Sequence, residues 1–268
     1  RWKDWAKNLI IFFSYIFNEN IKGFDYLFDL FLVFLSFSIL CSIVYIINDL
    51  KDLESDKLHS LKKNLKPLAN GTFSVNFAKI ILFILVTFLT FLIFINNLFY
   101  VHFLGYFLLM ILYIFIIKQV IILDVLLLSL GYLIRLDIGS SVINVDSSIN
   151  LLLCVFTLVL FVLFIKRYSE FLSQNNVRKS LNFYSSFLLN FLIISSAIFF
   201  ILFSIYFIYY EKVILIMTLP FLIYNLVRYY NISIKKKLGE FPIEVVIKDK
   251  ILLTNTFLIL LIILILYF

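Results

Sequence analysis

Four polar residues in one short segment have the types and spacing to hold a metal ion. Asn48, Asp49, Asp52 and Asp56 directly follow an apolar run over residues 26–47. If the helix of that run continues, the carboxylates at i, i+3 and i+7 share one face. Carboxylates this close repel each other unless a cation joins them, and Mg²⁺ is usually held by one or two carboxylates plus phosphate oxygens and water. The segment therefore predicts a Mg²⁺–diphosphate site, with a solvated loop of mixed charge as the alternative.

The composition is that of a membrane protein. Of the 268 residues, 63% are hydrophobic, whereas soluble domains contain roughly 45–50%. The net charge of +7 reflects topology in such a chain, because basic residues collect in the cytoplasmic loops. No nucleic-acid partner is therefore predicted. Cys41 and Cys154 lie in separate apolar runs without the spacing of metal ligands, which predicts that both pack in the core.

Nine apolar runs approach the roughly 20 residues that a spanning helix needs. They cover about 8–21, 26–47, 74–95, 98–117, 119–139, 149–166, 184–208, 212–230 and 251–268. The connections between them alternate in basicity, so the positive-inside rule places the N-terminus and the acidic segment in the cytoplasm. The pattern predicts an all-α integral membrane protein with about nine transmembrane helices. We expect one polytopic domain over residues 1–268, with a polar cavity that faces the cytoplasm.

Charged residues also occur within the apolar runs. Asp124, Arg135 and Asp137 lie in or near the fifth run, and the first two are eleven residues apart. Eleven residues are about three helical turns, so both side chains return to one face. Charge inside a membrane normally faces a polar cavity, which makes this a candidate site. The alternatives are a buried ion pair or a helix end placed a few residues wrongly.

Two basic segments follow in the second half of the chain. The first is Lys166-Arg167-Tyr168-Ser169-Glu170, with Arg178 and Lys179 after it, and the second is Lys235-Lys236-Lys237 with Lys248 and Lys250. The first has the charge to bind phosphate groups, and the second has the charge to contact anionic lipid headgroups. The first segment also has the composition of a plain topology determinant.

Together, these segments resemble the UbiA superfamily of intramembrane prenyltransferases, whose signature after the second helix is N-D-x-x-D-x-x-x-D. Asn48, Asp49, Asp52 and Asp56 fit every specified position. The continuation is similar to the decaprenyl-phosphate phosphoribosyltransferase branch, which has x-x-H-P-x-K-R-x-R-P. The matching residues are His59, Lys62, Lys63, Lys66 and Pro67, with Ser60 in place of the first proline and lysine replacing arginine twice.

The resemblance to this branch continues along the chain from residue 1 to about 250. Lys7 and Asn8 fit an N-terminal R-P-x-Q-W-x-K-N motif, and Lys166-Arg167-Tyr168-x-Glu170 fits K-R-Y-x-E. Tyr113, Lys118 and Asp124 fit Y-S-x-x-L-K-x-x-x-x-x-D, with Arg135 and Gly139 in its continuation. Aromatic prenyltransferases of the superfamily commonly carry a second acidic motif, D-x-x-x-D, after the sixth span. The corresponding loop here contains only Glu170, which favours the phosphoribosyl branch.

The resemblance implies a UbiA-like helical bundle in a bacterial inner membrane that transfers 5-phosphoribose from phosphoribosyl diphosphate to a polyprenyl phosphate such as decaprenyl phosphate. The product would be a lipid-linked pentose precursor of cell-envelope glycan. Mg²⁺ is the implied cofactor, with Asp49, Asp52 and Asp56 as its ligands and Asn48 as a further catalytic residue. The implied substrate-binding residues are Lys7, His59, Lys62, Lys63, Lys66, Lys118, Asp124, Arg135, Lys166, Arg167 and Glu170.

Two other functions compete with this interpretation. An aromatic polyprenyltransferase of the same superfamily would carry the same first acidic motif. A membrane transporter would place the charges at residues 124 and 135 on an ion path, but would be expected to show inverted repeats or helices broken by glycine and proline. The chain has only 6 Gly and 3 Pro, which disfavours a transporter. The sequence leaves open whether the chain is a monomer or a homo-oligomer.

Overall fold

The structure, a computed structural model, describes residues 2–18, 26–58, 63, 66–95, 99–173, 181, 183–236 and 238–267. These residues form helices and no strand. The α-helices are α1 (Phe13–Ile16), α2 (Leu27–Lys51), α3 (Leu53–Leu58), α4 (Val75–Ile95), α5 (Tyr100–Phe115), α6 (Leu123–Val142), α7 (Ile149–Leu172), α8 (Ser186–Tyr210), α9 (Leu219–Lys235), α10 (Pro242–Lys248) and α11 (Lys250–Tyr267). Three 3₁₀ helices cover Trp2–Phe12, Ile117–Gln119 and Val213–Thr218.

Six helices in the described residues are long and apolar enough to cross a membrane. They are α2, α4, α6, α7, α8 and the continuous stretch Val213–Lys235 that contains α9. A seventh is gained if α10 and α11, which meet at a bend of 92°, form one broken span. Helix α5 is apolar but has only 16 residues. The all-helical membrane architecture is confirmed, whereas the predicted count of nine spans is not.

The first predicted span, residues 8–21, differs most from expectation. Residues 2–12 form a 3₁₀ helix that α1 continues for four residues. This N-terminal segment packs against α2 and α6, where Asn8 Nδ2 donates to Ser38 Oγ at 2.9 Å. A Cβ atom on Gly139 of α6 would lie 2.0 Å from the carbonyl oxygen of Ile11. Glycine therefore allows the segment to lie directly against the backbone of α6.

The buried apolar side chains form two large clusters that meet at α6. The first joins the N-terminal segment with α2, α5 and one side of α6, and includes Phe37 and Ile138. The second joins the other side of α6 with α7, α8 and α9, and includes Leu136 and Ile165. Cys41 and Cys154 are both buried and free, as predicted. Helix α6 is thus the central element, and it carries both Asp124 and Arg135.

Helix α4 lies at the periphery of the bundle. Only 11% of its apolar window is buried, and among the exposed side chains are Phe83, Phe91 and Phe94. Exposed aromatic and aliphatic side chains at this density suit a lipid environment. The acidic segment between α2 and α4 is therefore attached to one well-packed helix and one peripheral helix.

Candidate active site

The acidic segment continues the end of α2 with a local irregularity at Asp52. Helix α2 ends at Lys51, Asp52 lies in a turn, and α3 begins at Leu53. The backbone N–H of Asp52 donates to Asn48 O at 2.9 Å, and that of Asp56 donates to Asp52 O at 2.8 Å. These i to i−4 bonds carry the helical path across the joint. The carboxylates consequently remain at one end of the bundle.

Lysine side chains neutralise all three carboxylates. Lys66 Nζ lies 2.8 Å from Asp49 Oδ1 and also contacts Asp56 Oδ2. Lys118 Nζ contacts Asp52 Oδ2 and donates to Asn48 Oδ1 at 3.2 Å. Asp49 and Asp56 are buried, with relative exposures of 8% and 3%. The acidic segment is therefore divided into one pair of carboxylates that share an ammonium group and one carboxylate with its own lysine.

This arrangement fits a divalent cation at the carboxylate pair. In the described part of the chain, no three His, Cys, Asp or Glu side chains converge on a common point. Asp49 and Asp56 nevertheless both reach the ammonium group of Lys66, so their oxygens already face one positive charge. Mg²⁺ commonly takes one or two protein carboxylates and fills its other positions with water and phosphate oxygens. The donor set is adequate for that ion, and the polar cavity expected around it is not confirmed.

A second charged group lies where α6 begins and α7 ends. Arg167 Nε donates to Asp124 Oδ2 at 2.6 Å, and Arg167 Nη1 donates to Glu170 Oε2 at 2.8 Å. Asp124 is fully buried, and Arg167 is 1% exposed. The remaining terminal nitrogen, Arg167 Nη2, is buried without a hydrogen-bond partner. This nitrogen can donate to a further oxygen without displacing either carboxylate.

Tyr184 completes this group from the connection before α8. Its hydroxyl accepts the N–H of Ile122 at 2.8 Å and lies 3.4 Å from Asp124 Oδ1. Ile122 has a φ of 64°, a conformation that is unfavourable for a β-branched residue. Burial, followed by the negative charge of Asp124, raises the pKa of Tyr184 to about 12. The phenol therefore stays protonated at neutral pH and donates toward the carboxylate.

Arg135 lies on α6 three turns from Asp124 and makes its hydrogen bonds with groups near the N-terminal segment. Its guanidinium donates to Asn8 Oδ1 at 2.7 Å, to Gly131 O at 2.6 Å and to Tyr106 Oη at 2.9 Å. A fourth contact reaches Cys41 Sγ at 3.3 Å. These bonds tie the N-terminal segment to α2, α5 and α6.

The other predicted substrate-binding residues are Lys7, His59, Lys62, Lys63 and Lys166. Lys7 Nζ donates to Asp4 Oδ1 at 2.6 Å and to Tyr45 Oη at 3.3 Å. Lys63 is exposed, and Lys166 is partly buried. His59 and Lys62 lie outside the described residues. Asn48 and the three aspartates come together with Lys66 and Lys118, Asp124 comes together with Arg167 and Glu170, and Arg135 belongs to neither group.

Several polar contacts involve residues that the sequence analysis did not single out. Tyr106 binds Arg135, and His102 Nε2 lies 3.0 Å from Asp137 Oδ2. Arg228 pairs with Asp249 through two bonds. Arg228 lies inside the predicted span 212–230. A charged residue in an apolar run indicates a charged or polar partner, so such a pair could have been predicted.

Comparison with known proteins places these groups in a family context. The chain is similar to the uncharacterized protein y4nM of Sinorhizobium fredii, with 36% identity over 72 residues, or 27% of this chain and 14% of that protein. That match covers a small part of a longer relative. The sequence profile of the UbiA prenyltransferase family matches residues 20–240, a range that includes both charged groups. With most of its length matched, the chain belongs to the UbiA prenyltransferase family.

Proposed function

We propose that the protein transfers 5-phosphoribose from phosphoribosyl diphosphate to a polyprenyl phosphate. The observation that carries this proposal is the pairing of Asp124 and Glu170 with Arg167. A second Mg²⁺–diphosphate site of the D-x-x-x-D type would need further carboxylates in the loop after α7, and residues 171–185 contain no Asp or Glu. The group instead offers a buried guanidinium with one unused nitrogen. Such a donor suits a substrate with a phosphate group in addition to its diphosphate.

Asp49 and Asp56 would hold the Mg²⁺, with Asp52 beside them. The ion would supply positive charge to the diphosphate and so make its departure easier. Lys66 and Lys118 now neutralise these carboxylates. With a divalent ion bound to the carboxylates, Lys66 and Lys118 would be able to donate to diphosphate oxygens. The two lysines would then have substrate partners in place of carboxylate partners.

The transfer itself requires no strong general base. An oxygen of the lipid phosphate forms a bond to C1 of the ribose, while the bond from C1 to the diphosphate oxygen breaks and its electron pair leaves with diphosphate. The attacking oxygen is already anionic, so no proton has to be removed. The protein's task is therefore to bind, orient and neutralise the reacting groups.

Arg167 is the residue we assign to the phosphate of the sugar. Asp124 and Glu170 fix two sides of its guanidinium, and the buried Nη2 donates to a phosphate oxygen. Tyr184 holds Asp124 and the strained backbone at Ile122 in place. Arg135 acts as a positioning residue that holds the N-terminal segment. Lys7, His59, Lys62, Lys63 and Lys166 remain proposed substrate contacts on the basis of the resemblance.

We place this end of the bundle in the cytoplasm of a bacterial inner membrane, where phosphoribosyl diphosphate is available. The basic residues near it support this orientation through the positive-inside rule. The apolar exterior of the bundle would receive the polyprenyl chain from the bilayer. The product would be a lipid-linked phosphoribose, a precursor for cell-envelope glycan.

The test is transfer of radiolabel from phosphoribosyl diphosphate to decaprenyl phosphate by the detergent-purified protein with Mg²⁺. Asp52→Asn keeps the side-chain volume but removes the charge, and we expect at least about a 100-fold loss of rate. Glu54→Gln is the matched control, since this acidic side chain of the same segment is 86% exposed. Its rate should equal that of the wild type. No label in the organic phase from folded protein would overturn the proposal.

The family description favours one other candidate, transfer of a prenyl group to an aromatic acceptor. The first carboxylate group would serve that reaction equally well, because both donors carry a diphosphate. Incubation with a polyprenyl diphosphate and 4-hydroxybenzoate separates the two functions. A prenylated aromatic product, with no label transfer from phosphoribosyl diphosphate, would replace our proposal with this one.

A further inference from the structure

A pocket of about 260 Å³ lies beside α9, at the bend between α10 and α11. Its polar wall is formed by Arg228, Asn231, Lys236 and Asp249, and Val227 lines its apolar side. None of these residues belongs to the two charged groups assigned to the reaction. The pocket is therefore a separate feature of the bundle.

The pocket has an excess of positive charge. Arg228 binds both oxygens of Asp249, with Nε to Oδ1 at 2.7 Å and Nη2 to Oδ2 at 2.9 Å. Asp249 also accepts the N–H of Leu252 at 2.8 Å, which caps the start of α11. The carboxylate is thus occupied by a guanidinium and a helix N-terminus. Lys236 is exposed and adds a second positive charge to the wall.

The hydrogen-bond donors of this wall are not all used. Besides its two bonds to Asp249, Arg228 donates through Nη1 to Tyr224 Oη at 3.0 Å. A guanidinium has five N–H groups, so these three bonds leave two available. Asn231 is exposed and can present its amide to the same space. The donors are of the kind that bind phosphate oxygens.

The pocket lies at the same end of the bundle as the carboxylates. Gly239, which follows α9, lies against α7, because a Cβ atom there would be 2.0 Å from Ser169 Oγ. At the opposite end, Lys212 Nζ contacts the carbonyl oxygen of Leu266. The pocket is thus at a boundary of the bundle, where the spans end. Three more exposed lysines flank it, namely Lys235, Lys248 and Lys250.

The outward side of the pocket is apolar and open. Val227 is 57% exposed, and Tyr224 is 46% exposed. A ligand in this position would meet cations and an amide at one end and hydrocarbon at the other. Basic pockets between membrane helices bind the headgroups of anionic lipids in this way. The polar and apolar sides of the pocket therefore suit an amphiphilic ligand with a phosphate headgroup.

We propose that this pocket binds the phosphate group of a membrane lipid. Lys236, Asn231 and the two unused N–H groups of Arg228 donate to the phosphate oxygens, while Val227 contacts the lipid chain. The lipid is either an anionic phospholipid of the bilayer or a polyprenyl phosphate, because both present the same headgroup chemistry at this depth. The proposal does not depend on the reaction assigned to the carboxylates.

The test is native mass spectrometry of the delipidated protein with phosphatidylglycerol, decaprenyl phosphate or zwitterionic phosphatidylcholine. We expect the two phosphate lipids with net negative charge to be retained in preference to phosphatidylcholine. Lys236→Gln should weaken their binding about fivefold, and Lys236→Glu about thirtyfold, from the loss and then the reversal of one charge. Lys236 is exposed, so both variants should fold.

Lys79→Glu is the matched control. Lys79 is an exposed lysine near the start of α4, at the same end of the bundle. Reversing its charge should leave lipid retention unchanged. The occupant of the pocket is the lipid whose retention Lys236→Glu lowers more: phosphatidylglycerol would identify a bilayer phospholipid, and decaprenyl phosphate would identify the polyprenyl lipid. Equal retention by the wild type and Lys236→Glu, or no preference over phosphatidylcholine, would overturn the proposal.

Discussion

Arg135 and Arg167 are both buried in the bundle, but their surroundings differ in charge. Arg135 is 4% exposed and Arg167 is 1% exposed. The partners of Arg135 are neutral oxygen and sulfur atoms, together with the rings of Tyr106 and Tyr132 at 4.7 and 5.0 Å. The partners of Arg167 are the carboxylates of Asp124 and Glu170. Arg135 is therefore bound by neutral groups, whereas Arg167 is bound by two carboxylates.

The hydrogen bonds of the two arginines indicate a structural role for one and a binding role for the other. The guanidinium of Arg135 makes four contacts that join four elements of the fold. Arg167 keeps one buried terminal nitrogen without a partner. A buried donor without a partner is costly, and a substrate oxygen would remove that cost. We infer that Arg135 stabilises the bundle and that Arg167 serves the substrate.

The largest expected effect is a loss of stability in Arg135→Met. Asn8 Oδ1, Gly131 O and Tyr106 Oη would each lose a donor, and an unsatisfied buried group costs about 1–3 kcal/mol. We expect the free energy of unfolding to fall by roughly 3–5 kcal/mol. Denaturant unfolding in detergent micelles measures this change. An unfolding curve that coincides with that of the wild type would contradict the structural role.

The next effect concerns the contact beside Arg135. Gly139→Ala introduces a methyl group 2.0 Å from Ile11 O, so the N-terminal segment or α6 must shift. We expect a loss of about 3 kcal/mol, at the upper end of overpacking costs. Gly105→Ala is the control, because no atom lies within 4 Å of the added Cβ. Thermal unfolding should separate the two variants, and equal melting temperatures would show that the segment does not lie against α6.

A smaller effect is expected when each arginine is replaced by lysine. Arg167→Lys keeps a positive charge near Asp124 but loses the forked donors, so the KM for phosphoribosyl diphosphate should rise about 10- to 100-fold, with a modest change in stability. Arg135→Lys should destabilise the protein but leave that KM unchanged in the folded fraction. Steady-state kinetics and unfolding of both variants test the contrast. If both substitutions changed only stability, Arg167 would be structural as well.

The smallest effect concerns the lysines that neutralise the carboxylates. Lys66→Met leaves Asp49 and Asp56 without their shared cation, so Mg²⁺ should bind about tenfold more tightly in the absence of substrate. Calorimetric titration with Mg²⁺ measures this affinity without any turnover. Lys57→Met is the control, because Lys57 binds Glu54 at 3.0 Å instead. Unchanged or weaker Mg²⁺ binding by Lys66→Met would mean that Lys66 does not compete with the ion.

The apolar helices were largely predictable from the sequence, because a backbone in lipid must satisfy its own hydrogen bonds within a helix. The predicted spans 149–166 and 184–208 correspond to Ile149–Leu172 and Ser186–Tyr210. The N-terminal segment was not predictable in this way. It packs against Ser38 and Gly139, which are distant in sequence. Local periodicity contains no information on such contacts.

Ion pairs between residues close in sequence were predictable, whereas ion pairs between distant residues were not. The bond between Arg167 and Glu170 is an i, i+3 contact on one helix, so it follows from spacing alone. Asp124 and Arg167 are 43 residues apart, and the helical spacing had instead placed Arg135 on the same face as Asp124. Lys66 and Lys118 were expected to bind phosphate, but their contacts with particular carboxylates depend on the packed bundle.

The N-terminal segment is synthesised before α6 but completes its contacts only when α6 is present. Ser14 Oγ bonds to Leu136 O and Ser140 Oγ, which lie 122 and 126 residues further along the chain. At about 5–20 residues per second, translation needs roughly ten seconds to produce that stretch. The segment can contact α2 soon after α2 is synthesised. Its packing interface with α6 forms only after α6 has entered the membrane. The order in which these contacts form therefore differs from the order in which the residues are synthesised.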